Sequence, residues 1–160
     1  MELIKKIDAV AAKVLKWFVI AMCIGIAFIL LIRVISRFTP FTIPMSWSDE
    51  VVECMMAWMI FTTSTLITRD GGHFRVDLLQ AKYQGKRWIH VLNALISLIS
   101  VIFMAVLLYY SINLVQQAKQ FTPILKISVR YLYASIPVNC ALMLLYFLRD
   151  FFRDVKSVAV

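Results

Sequence analysis

The run Trp17-Phe-Val-Ile-Ala-Met-Cys-Ile-Gly-Ile-Ala-Phe-Ile-Leu-Leu-Ile32 decides the fold class of this chain. It holds sixteen residues without a charge and without polar/apolar alternation. Backbone amides in lipid must be paired inside the structure, which leaves helices or closed barrels. Barrel strands alternate over about ten residues, and this run does not. It is read as a membrane-spanning helix covering Val14–Ile35. Three further stretches have the same character: Ser48–Ile67, Ile89–Val115 and Tyr131–Leu148. About 20 helical residues cross the hydrocarbon core at about 1.5 Å of rise each, so all four are long enough. The mean hydropathy of +0.83 agrees, as does a hydrophobic share of 62%. The expectation is an all-α integral membrane protein, residues 1–160 forming a single membrane domain with four transmembrane helices. Almost nothing remains for a water-soluble catalytic domain.

Positively charged loops stay in the cytoplasm. Lys5, Lys6, Lys13 and Lys16 precede the first span; Arg69, Arg75, Lys82, Lys86 and Arg87 lie between the second and third; Arg149, Arg153 and Lys156 follow the fourth. Those are twelve of the 17 basic residues, against Arg33, Arg37, Lys119, Lys126 and Arg130 on the other side. Both termini are therefore expected in the cytoplasm. The net charge of +8 has the same explanation, attraction of juxtamembrane lysines and arginines to anionic lipid; no nucleic-acid-binding motif accompanies it. The first span is longer than a signal peptide's apolar region and ends in Arg33, Ser36 and Arg37 rather than a small-residue cleavage site, so it is expected to remain in the mature protein.

Leu3, Ile4, Ile7, Val10 and Val14 recur at helical spacing ahead of the first span. They describe an amphipathic N-terminal lead-in, either lying on the membrane surface or continuing the first helix into water. Pro40 and Pro44 stiffen the first connection, and Trp47 stands at interfacial depth, as Trp88 does before the third span. Gly71-Gly72 break the chain after the second span, and Asp77–Gln84 is expected to form a short interfacial helix. The third span has no Asp, Glu, Lys or Arg over 27 positions and must tilt or project. In the fourth, Pro137 predicts a kink, with the freed carbonyl met by a neighbour.

The polar cluster of greatest interest is Trp47-Ser-Asp-Glu-Val-Val-Glu53. Asp49 and Glu53, four residues apart, share a helix face, with Glu50 beside it. An ionisable residue inside the membrane is a functional candidate. Arg33 lies at similar depth on the preceding antiparallel helix, so it is expected to pair with Glu53 or Asp49; contact of the carboxylates with a partner subunit is the alternative, then cation or proton binding. The methionines, among them Met55, Met104 and Met143, suit an adaptable packing surface, though most are expected to face lipid. Gly25 would admit close helix approach. Cys23, Cys54 and Cys140 include no C-x-x-C pair, and His73 and His90 do not face each other inside a bundle as haem ligands would. No nucleophile elbow, phosphate loop or metalloprotease helix is present. No enzyme, and no cofactor or metal on this chain, is expected.

These features in order — Trp47, Asp49, Glu50 and Trp58, then Arg69, Gly71, His73, Phe74, Val76 and Asp77, then Gln120-Phe-Thr-Pro123 with Leu125, Ile127 and the Ala134–Pro137 stretch — resemble the small membrane subunit of tripartite ATP-independent periplasmic (TRAP) transporters. The likeness covers most of the chain. It departs in having Asp49 where the family usually has Glu, and Ser128 where proline is frequent. The resemblance implies an accessory scaffold in the bacterial inner membrane. Its partners would be a large multi-helix subunit, which carries the substrate and sodium sites, and a soluble periplasmic binding protein. The overall activity would be sodium-coupled uptake of an organic acid. Arg69, Gly71, His73 and Asp77 would form the cytoplasmic motif, and Arg37, Lys119 and Lys126 would be candidates for docking the binding protein. Two other readings compete with it. A small self-assembling four-helix carrier needs a carboxylate in its first helix, where this chain offers only Arg33. A membrane anchor for a redox enzyme would call for facing histidine pairs.

Overall fold

Long apolar runs with no internal proline propagate as single helices, and three of the four spans do so. The structure, a computed structural model, describes residues 2–38, 45–70 and 87–159. Helix α1 covers Glu2–Phe38, α2 Ser48–Arg69 and α3 Arg87–Gln117; α4, Arg130–Tyr133, leads into α5, Ser135–Ala159. Among the described residues, four helical stretches are long and apolar enough to cross a membrane, within Asp8–Phe38, Ser48–Arg69, Leu95–Gln117 and Arg130–Phe152. The lead-in is continuous with the first span: α1 runs unbroken over 37 residues, about 55 Å at 1.5 Å per residue, well beyond the roughly 30 Å hydrocarbon core. The interfacial helix expected at 77–84, the prolines at 40 and 44, and Gly71, His73 and Asp77 lie outside the described residues, as do the side chains of Trp88 and His90.

The break in the fourth span falls at Ala134, three residues before Pro137. Proline clashes with the carbonyl four residues back and offers no N–H, so the helix restarts rather than continues. Two carbonyls of the preceding turn have side-chain donors. The Trp58 indole Nε1 donates to the Tyr131 carbonyl at 3.0 Å, and the Ser135 hydroxyl donates to Leu132 at 2.7 Å.

Neighbours follow the order α1, α2, α5, α3: α1 packs mainly on α2, α2 on α5, and α5 on α3. The seams differ in chemistry. Between α3 and α5 lies an apolar cluster of Met104, Met143 and Phe147, with Val101, Leu107 and Leu144 against it. Met104 and Met143 thus belong to the interior and not to the lipid face. Along α2 the buried residues are Ser48, Thr62, Thr65 and Thr68. Opposite them on α5, Ser135 and Asn139 are buried too. The Thr65 hydroxyl meets Asn139 Oδ1 at 3.1 Å, while Asn139 Nδ2 donates to the Ser135 carbonyl at 2.8 Å. Small polar residues let membrane helices approach closely and bond across the seam. The surface is the reverse, with Ile24, Phe28, Leu31, Phe103 and Leu145 among its exposed residues. At the α1–α2 seam, a Cβ on Gly25 would stand 2.7 Å from Met55 Cε, so the missing side chain is what lets Met55 lie there.

Candidate functional site: the two polar ends

Antiparallel packing brings the beginning of α1, the end of α2 and the last turns of α5 to one end, here the terminal end. The end of α1, the start of α2 and the connection between α3 and α4 meet at the other.

At the second end, residues 118–129 fold into a hairpin. Thr122 N–H donates to the Ile127 carbonyl at 2.8 Å and Val129 N–H to Gln120 at 3.1 Å. Phe121 and Ser128 form an isolated antiparallel bridge. Lys126, at φ 52, takes the left-handed backbone position that closes the turn. Glu50 holds the tip: its Oε1 accepts the Ile124 N–H at 2.8 Å and its Oε2 the Leu125 N–H at 2.9 Å. Arg130 Nε ties the base of the hairpin to the Ala118 carbonyl at 2.7 Å.

Arg33 pairs with Asp49, which is one of the two partners the sequence offered. Both Nη atoms face the two carboxylate oxygens, the Nη2–Oδ2 distance being 3.0 Å. Glu53 takes no part in this pair, and among the described residues it has no hydrogen bond or ion pair. The four charges at this end therefore divide. Arg33 and Asp49 satisfy each other, Glu50 is spent on the hairpin, and Glu53 is left over. Glu53 lines a cavity of ≈ 520 Å³ between the first turns of α2, the hairpin and α4. Trp47 is exposed just before α2, and Arg37, Lys119 and Lys126 are exposed around the same end.

The terminal end holds a network that the sequence did not reveal. Asp8 Oδ2 accepts from Arg69 Nε at 3.0 Å and Nη2 at 2.8 Å. Its Oδ1 accepts from the Tyr146 hydroxyl at 3.0 Å. Arg149 Nη2 donates to the Arg69 carbonyl at 3.1 Å, and its guanidinium lies 5.3 Å from the Tyr146 ring centroid. Three helices are thus joined through one carboxylate. The available signal was a lone aspartate among the lysines of the lead-in, with Tyr146 and Arg149 three apart on the last span. Midway, Trp58 packs edge-on against Phe18 of α1, ring centroids 6.3 Å apart, while its N–H serves Tyr131. One side chain thereby links α1, α2 and α4.

Among the described residues, no group of three or more His, Cys, Asp or Glu could hold a metal ion. Taken together, the arrangement is four spans, acids at the start of the second, a tryptophan inside it, and an Arg at its end. The family described as tripartite ATP-independent periplasmic transporters, DctQ component, matches residues 26–157. The chain belongs to that family. No curated protein matches it. As a DctQ component, it is the small subunit of a TRAP transporter and a multi-pass membrane protein. The family match begins within α1 and reaches nearly to the end of α5, so it takes in both members of the Arg33–Asp49 pair and the Glu50-held hairpin, but not Asp8.

Proposed function

We propose that this DctQ component is the stationary scaffold of a carrier that takes up an organic acid with sodium. It sits in the bacterial inner membrane with both termini in the cytoplasm. It holds a large multi-helix subunit, on which the substrate and sodium sites lie, and it offers Arg37, Lys119 and Lys126 at the periplasmic edge to the soluble binding protein. The observation that carries the reading is how the polar groups are used. Arg33, Asp49, Glu50, Thr65, Asn139 and Ser135 bond within the chain, which fits a rigid support. At the same time, none of the most apolar window of α1 is buried inside the chain, leaving a broad surface for lipid and for a larger subunit. A chain that carried substrate by itself would need polar groups facing a pathway, whereas these face one another.

The test is purification of the tagged chain from its native membrane in mild detergent, with mass spectrometry of what accompanies it. A stoichiometric large multi-helix protein, and uptake by the complex that requires sodium, are the expected results. Recovery of the chain only with copies of itself would overturn the scaffold reading. Accessibility of single cysteines placed at each terminus in sealed cells tests the orientation, and labelling from outside would reverse it.

A further inference from the structure

Between Ser48 and Arg69, five residues of α2 are exposed, namely Asp49, Glu53, Met56, Ile60 and Ile67; the others are buried or half-buried against α1, α5 and the hairpin. Their spacings of four, three, four and seven follow a heptad. At about 100° per residue they fall within an arc of roughly 60°. A stripe of this period is the seam on which a second helix packs at a shallow left-handed angle. Its middle and far end are apolar, with Met56, Ile60 and Ile67 exposed by 44%, 52% and 44%.

The near end carries Glu53, the carboxylate left without a partner among the described residues. It stands five residues into α2 from Ser48, about 7.5 Å along the axis at 1.5 Å per residue. A charge inside a span is normally paired. Arg33 is not available to it, because both of its Nη atoms face Asp49. The cavity beside Glu53 is walled by Val51, Met55, Phe121 and Leu132. Such walls suit the aliphatic stem of a long basic side chain whose charged head reaches a carboxylate. A lipid chain would cover Met56 and Ile60 but bring no cation to this depth. A second copy packed side by side would set its own Asp49 and Glu53 against these, like charge against like.

We propose that the exposed stripe of α2 seats one transmembrane helix of the large subunit, and that a lysine or arginine of that helix occupies the cavity and pairs with Glu53. The inference rests on the scaffold reading and assigns it a contact surface. To test it, a photo-crosslinking amino acid replaces Ile60 in the assembled complex in native membranes, and Glu53→Gln and Glu53→Lys are compared with the unaltered chain by recovery of the large subunit. Irradiation should join position 60 to a transmembrane peptide of the large subunit. Glu53→Lys should lower recovery about tenfold by setting two cations together, with Glu53→Gln lower by less. Changing the basic residue near the crosslinked peptide to Glu should restore recovery with Glu53→Lys. An intact complex in which position 60 joins only to lipid or to another copy, or full recovery of the large subunit by Glu53→Lys, overturns the inference and leaves the scaffold reading standing. An unaltered chain that brings no large subunit with it overturns both.

Discussion

The two polar ends of the molecule are built on different principles. At the terminal end one carboxylate, Asp8, accepts from Arg69 twice and from Tyr146 once, and its partners sit on two other helices. The Asp8 and Arg69 side chains are only 28% and 25% exposed. At the hairpin end the charges work in separate pairs. Arg33 and Asp49 are 47% and 62% exposed, Glu50 serves two backbone amides, and Glu53 serves no group within the described residues. A shared, partly buried carboxylate makes three helices depend on one another. Separate contacts tie only their own neighbours. Charge thus closes the helices on themselves at one end, while the other end keeps a carboxylate in reserve.

The largest effect is expected from Asp8→Ala. It leaves the Arg69 guanidinium and the Tyr146 hydroxyl without their acceptor in a partly buried place, and the expected loss is about 2 kcal/mol. Unfolding of the purified protein in detergent, followed by tryptophan fluorescence, measures it; a loss near zero would mean that the network is ornamental. Next in size is Glu50→Gln, whose effect should stay local. The Ile124 and Leu125 amides lose their carboxylate acceptor, and their hydrogen exchange should quicken about fivefold with the helices unchanged. Exchange that quickens throughout the chain would show that the hairpin is coupled to the whole bundle.

Arg33→Gln should cost about 1 kcal/mol, less than Asp8→Ala because one partner and not two loses its acceptor or donor. The same unfolding assay reads it, and a cost equal to that of Asp8→Ala would erase the contrast between the ends. Smallest of all is Gly25→Ala. The added methyl meets only the mobile end of Met55, and the gain in helix propensity of about 1 kcal/mol offsets the adjustment. Stability should change by less than about 0.5 kcal/mol. A clear loss would show instead that the α1–α2 seam is too rigid for Met55 to turn aside.

Much of the architecture was legible in the residues. The four spans, expected at 14–35, 48–67, 89–115 and 131–148, lie within helices Glu2–Phe38, Ser48–Arg69 and Arg87–Gln117, and in the pair Arg130–Tyr133 and Ser135–Ala159. Pro137 announced the interruption in the last span, because its steric demand acts on its own turn of helix. The charged cluster at the start of α2 was legible as a group, but its internal division was not. Asp49 and Glu53 are equivalent by spacing, and only the placement of α1 against α2 gives Arg33 to Asp49. From spacing alone Glu50 merely lies beside the Asp49–Glu53 face. It holds two amides 74 and 75 positions away, a contact that no local pattern encodes.

The apolar runs alone place the chain in the membrane and give the number of its spans. Those properties are sums over contiguous residues, since the transfer of a run of side chains into lipid does not depend on its neighbours. The tertiary structure decided which charges cancel and which remains. It put Asp8 beside Tyr146, 138 positions away, set Trp58 between Phe18 and Tyr131, and left Glu53 on the open stripe of α2. Each of these depends on the rotation and offset of one helix against another. Such small differences are fixed by packing across a seam and not by any single segment.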